Sequence, residues 1–146
     1  MLTQRWRGWV PDDQFGEAIG PRPAVLSVSP ALDPAALERL RELDPSGAGR
    51  LLERVLKAFQ TSAVRLRAQS DAARASGDSA AIRLVAHTLK SSSASIGALH
   101  LSQLCAQIES TIRTSPGQDL GAQLDAFGQA LDDTLATIEQ LLREMA

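Results

Sequence analysis

The chain has 146 residues, enough for one domain that buries its own core, with a tail besides. Hydrophobic residues make up 44% but aromatics only 3%, with no Tyr, so the core must come from Leu, Ala, Ile and Val, a helical bias. A formal net charge of -2 gives no electrostatic case for nucleic acid or an anionic membrane, and a single cysteine, Cys105, excludes an intramolecular disulfide and a multi-cysteine zinc site.

Residues 1–30 hold four of the seven prolines (Pro11, Pro21, Pro23, Pro30) and both tryptophans, Trp6 and Trp9, and no helical period runs through them. They read as a flexible proline-rich leader or linker. In the competing reading Trp6, Trp9 and Phe15 dock onto the domain or onto a partner, and the sequence leaves both open. The opening "MLTQRWRGWVPDDQFG" lacks the apolar core of a secretory signal, and no apolar run approaches the length of a membrane span. A cytoplasmic protein is the default expectation, with the domain over residues 31–146.

From residue 33 the chain reads as helices. Asp33 is a good N-cap with Pro34 at the first helical position. Leu37, Leu40 and Leu43 then mark a short amphipathic helix that "DPSG" stops. A second, long helix is predicted from about Ala48 to Ser76, with Leu52, Val55, Leu56, Phe59, Ala63 and Leu66 on one face. Gly77 ends it and Asp78 caps the third, which starts near Ser79 and turns Ile82, Val85, Ala86, Leu89, Ser93 and Ile96 inward, with Gly97 placed for a turn. The fourth carries Leu101, Leu104, Cys105, Ile108 and Ile112, and "TSPGQD" breaks it. The fifth runs from about Asp119 to Met145 through Leu120, Leu124, Phe127, Leu131, Leu135, Ile138, Leu142 and Met145. Four long amphipathic helices on short loops predict an all-α, antiparallel up-down-up-down four-helix bundle, the short first helix capping one end. Cys105 falls on an apolar face and reads as a buried small hydrophobe. Neither a nucleotide-binding loop nor a bundle-type metal motif is present, and the second histidine, His100, makes no metal site with His87 alone.

His87 lies off the centre of the third helix's apolar stripe. On a helical wheel its neighbours are Arg83, Lys90 and Ser91. Two flanking cations disfavour the imidazolium and leave a neutral ring with a free lone pair, a nucleophile. The same cations would draw in an anion, and phosphoryl transfer needs an in-line nucleophile beside positive charge. On spacing alone a plain solvated histidine remains the commoner outcome.

The stretch "AHTLKSSSASIGALHLSQLCAQIE", residues 86–109, resembles the signature of histidine-containing phosphotransfer (HPt) domains, through His87, Leu89, Lys90, Ser92, Ser93, Gly97, Leu101, Cys105, Ile108 and Glu109. That family is a four-helix bundle with a short N-terminal helix. The resemblance implies that His87 takes a phosphoryl group from a receiver-domain phospho-aspartate and passes it to another receiver, that Lys90 helps hold the phosphate, and that Glu109 orients the imidazole. It implies response-regulator receivers as partners, with a hybrid sensor kinase as a further candidate. Mg²⁺ would sit on the receiver, and this chain would need no cofactor or metal and act as a carrier more than an autonomous enzyme. One departure is Ser91, where the family usually has Gly; a small residue should preserve transfer while slowing it or narrowing partner choice. Arg83, Leu84, Ser91, Ala94 and Ser95 would form the docking surface of a monomer. Two alternatives stand beside this reading. One is a module of the same fold that sequesters a receiver without passing phosphate. The other is the phosphoacceptor domain of a chemotaxis-type kinase, which needs a kinase domain that these 146 residues do not hold.

Overall fold

The computed structural model describes residues 31–146, which form five helices and, among the described residues, no strand. They are α1 (Pro34–Glu42), α2 (Leu51–Ser76), α3 (Ser79–Ser95), α4 (Leu99–Thr114) and α5 (Gly121–Met145). The expected leader over residues 1–30, with Trp6, Trp9 and Phe15, lies outside the described residues.

Short connections set the topology. α2 ends at Gly77 in the left-handed region (φ 70), and Asp78 starts α3 at once by accepting a hydrogen bond from the Ala81 N–H at 3.0 Å. A two-residue break leaves α2 and α3 no arrangement but antiparallel. Gly97 (φ 85) turns α3 into α4, and the loop 115–120 turns α4 into α5. α2 packs on α3, α3 on α4, α4 on α5 and α5 back on α2, so the four long helices close an up-down-up-down bundle. α1 packs mainly on α2 and caps the end of the bundle that carries the α3–α4 turn, where the Asp33 N–H donates to the Gly97 carbonyl at 2.8 Å.

The predicted faces form the core. Leu56, Leu89, Leu101, Phe127, Leu131 and Ile138 are fully buried. Two boundaries differ from the sequence expectation. α2 begins at Leu51, not Ala48, because the Asp44 carboxylate reaches forward to accept from the Gly49 and Leu51 N–H groups, which holds 45–50 as a turn with Arg50 at φ 52. α5 begins at Gly121, not Asp119, because the Asp119 side chain accepts from the Gly121 N–H at 2.9 Å and so stands outside the helix. Leu43 and Met145 continue the apolar period yet are exposed, Leu43 by 73%, since each lies where its helix runs out of neighbours.

No helix of the described residues is long and apolar enough to cross a membrane.

Candidate functional site

Burial of one face fixes the rotation of α3. Ile82, Val85, Ala86, Leu89 and Ser93 point into the core, which leaves His87 outward with its side chain 63% exposed. On α4, the buried Cys105 and Ile108 set the rotation in the same way and bring Glu109 against α3. The Glu109 side chain is only 11% exposed, and both its oxygens are used. Oε2 lies 2.7 Å from His87 Nδ1, and Oε1 accepts from Lys90 Nζ at 2.8 Å. Two residues one turn apart on α3 are thus bridged by one carboxylate from α4.

The bridge changes the electrostatics expected from the sequence. His87 was read as standing between two cations. The Lys90 ammonium is instead paired with Glu109, and the charge in contact with the ring is the carboxylate. Arg83 is exposed and makes no ion pair with a described residue. Hydrogen bonds from Lys90 first, then from His87, hold the Glu109 carboxyl below the ordinary carboxylate range, against the opposing effect of desolvation. An ionised carboxylate can only accept, so the 2.7 Å contact puts the proton on Nδ1. Nε2 has no partner among the described residues and is the nitrogen that holds the lone pair when the ring is neutral.

The sign of the Glu109 shift carries a prediction. Its native value is depressed, so its contribution to stability is whole above the unfolded carboxyl range and is lost as pH falls through the native value. The urea midpoint of the wild type should therefore drop more between about pH 5 and pH 3 than that of Glu109→Gln, whose amide does not titrate. Parallel pH profiles for the two chains would contradict the bridge.

Three further features surround the site. The Ser102 hydroxyl donates to the Lys90 carbonyl at 2.8 Å and pins the start of α4 to α3 one turn past His87; a lone serine among many gave no signal for this in the sequence. Leu84 is 64% exposed, and Arg83, Ser91, Ala94 and Ser95 are exposed with it, so all five proposed docking positions are on the surface of α3. Val64, exposed on α2, was not singled out; counted back from the Gly77 turn it lies level with Ser91 in the antiparallel pair. Among the described residues no three His, Cys, Asp or Glu side chains gather as a metal cage would require.

Cys105 lies in the floor beneath this site, fully buried, with its thiol pushed up to about 12 by burial first and the Glu109 charge second. Its thiolate is scarce at neutral pH, and no reagent reaches it in the folded chain. Labelling by iodoacetamide should follow unfolding of the bundle, slow in buffer and fast in denaturant. Fast labelling under native conditions would contradict this packing.

Comparison with known proteins gives the family and the fold. A family model described as Hpt domain matches residues 54–144. The fold is similar to the crystal structure of histidine-containing phosphotransfer protein B from Pseudomonas aeruginosa, with a TM-score of 0.69 and 23% identity over 80% of this chain and 97% of that chain. At that identity the likeness concerns the fold. No curated protein matches the sequence significantly.

Proposed function

We propose, for a chain that belongs to the Hpt domain family of histidine phosphotransfer modules in two-component systems, that His87 carries a phosphoryl group between receiver-domain aspartates. The observation that carries this reading is the pairing of an exposed imidazole with a buried carboxylate at its Nδ1. A hydrogen bond from Nδ1–H to Glu109 fixes the tautomer and the ring plane and raises the electron density at Nε2.

In the forward step the Nε2 lone pair attacks the phosphorus of an aspartyl phosphate in line with the departing oxygen. The N–P bond forms, the P–O bond breaks, and its electron pair returns to the aspartate as a carboxylate. The ring becomes cationic as it takes the phosphoryl group, and Glu109 stabilises that charge through Nδ1–H. Lys90, one turn along and half-exposed, can turn from Glu109 to the phosphoryl oxygens, where charge must be neutralised. Mg²⁺ and the acidic residues that bind it belong to the receiver and stabilise the aspartyl side of the exchange. The return step reverses these roles, with neutral imidazole as leaving group, so the chain is a carrier. The open face of Leu84, Ser91, Ala94 and Ser95, with Arg83 at its edge, lets receivers dock directly over the ring in a transient interface below about 1,200 Å². A monomer suffices for this, and a hybrid sensor kinase is a fitting donor.

The test is transfer of radiolabel from a phosphorylated receiver to this chain. The expected product is labelled, acid-labile and alkali-stable. Receivers that bind the chain but pass no label across a panel from the source organism would replace this reading with that of a sequestering module.

A further inference from the structure

A groove of about 350 Å³ lies between α4 and α5 and includes Ala31, His100, Ala130, Asp133 and Thr137 in its lining. It plays no part in the His87 site: Glu109 on α4 is turned toward α3, whereas His100 and Leu101 line this groove at the start of the same helix. Three observations bear on its occupant. The described chain begins at Ala31, in the groove wall, so the 30 preceding residues enter from this place. The walls are mostly small side chains, Ala31, Ala130 and Thr137, beside the His100 ring, which makes a slot for a flat apolar group. And α5 is acidic, with Asp125, Asp132, Asp133, Glu139 and Glu144 against Arg143 alone. Asp132 and Asp125 are answered by Arg67 and Arg74, but the Asp133 carboxylate accepts only from the Gln129 amide at 2.9 Å.

The leader has the complementary chemistry. Its segment "RWRGW", residues 5–9, sets both tryptophans of the chain among two arginines. We propose that this segment folds back into the α4–α5 groove of its own chain, with an indole of Trp6 or Trp9 on the alanine and threonine floor and Arg5 or Arg7 on Asp133. The tether makes a weak contact sufficient. The 22 residues from residue 9 to residue 31 can span at most about 75 Å, so the segment can reach the groove from Ala31, and the tether raises its effective concentration there. The inference is independent of phosphotransfer at His87.

The chain reports on this directly, because it has no Tyr and both tryptophans lie in the leader, so its intrinsic emission comes from residues 6 and 9 alone. The full chain should emit to the blue of a free peptide of residues 1–30 and resist acrylamide quenching. Asp133→Lys, and Ala136→Arg at the exposed rim, should lose that shift while the helical circular dichroism stays unchanged. Arg5→Glu with Arg7→Glu, which alters no residue of the bundle, should lose it too. Emission identical to the free peptide would overturn the proposal. So would a blue shift that none of the three variants removes, which would put the indoles elsewhere. A blue shift that disappears on dilution would assign the segment to a second copy and overturn docking within one chain.

Discussion

His87→Gln takes no label from a phosphorylated receiver, yet binds that receiver and unfolds at the wild-type urea midpoint. The loss is total because the carboxamide nitrogen has no available lone pair: it is delocalised into the carbonyl, and nothing else on this face is placed to replace it. The retained fold follows from where the side chain lies. The imidazole is mostly exposed and contributes one hydrogen bond, from Nδ1 to Glu109. Gln can reach the same carboxylate with an amide N–H, so the buried oxygen keeps a donor. His87→Ala is the harsher change, since it leaves Glu109 with Lys90 alone, and is the wrong variant for separating chemistry from structure. Retained binding follows because the docking positions Leu84, Ser91, Ala94 and Ser95 are untouched and exposed. The pair of readouts separates the two readings of the site. A carrier loses transfer and keeps binding. In a sequestering module, the wild type itself passes no label and the substitution changes nothing. Residual label in His87→Gln would move the acceptor to another residue and defeat the assignment altogether.

What the sequence disclosed, and what it hid, divides along local and long-range lines. Helix periods, the caps Asp33 and Asp78 and the turn glycines are properties of a few adjacent residues, and the fold followed from them. The α2 start departs from the period because the Asp44 carboxylate that accepts from the Leu51 N–H lies seven residues earlier, outside any local capping pattern. The surroundings of His87 differ from those on the helical wheel for a similar reason. A helical wheel shows only neighbours three and four residues away, Arg83, Lys90 and Ser91, whereas the partner that decides the ring's electrostatics is 22 residues on and across a helix interface. No period links positions 87 and 109; only the resemblance of the whole 86–109 stretch did. Ser93 is a core position, as its period predicts, and its buried hydroxyl has no hydrogen-bond partner among the described residues.

Gly97→Ala lowers stability by about 3 kcal/mol, more than any other substitution of a turn glycine. Two costs add. Gly97 has φ 85, and an L side chain in the left-handed region costs about 1–2 kcal/mol. A Cβ there would also stand 2.9 Å from the Asp33 nitrogen, the Asp33 oxygen and the Ala36 Cβ. Two of these atoms are backbone and cannot rotate aside, so the start of α1 must shift, an overpacking cost of about 1–3 kcal/mol. That shift also strains the hydrogen bond from the Asp33 N–H to the Gly97 carbonyl, which ties α1 to the α3–α4 turn. Gly77→Ala supplies the control. Its φ of 70 imposes a similar backbone cost, but a Cβ there meets nothing within 4 Å. The difference between the two midpoints isolates the close approach from the dihedral. Melting temperature should fall by about 10 °C for Gly97→Ala and by less than half as much for Gly77→Ala. The drop should come without loss of phosphoryl acceptance below the transition, because the Glu109 bridge lies three turns from Gly97 and rests on α3 and α4 packing, not on α1. Equal midpoints for the two variants would mean that α1 is not held against the turn, and that the bundle end above the docking face is open.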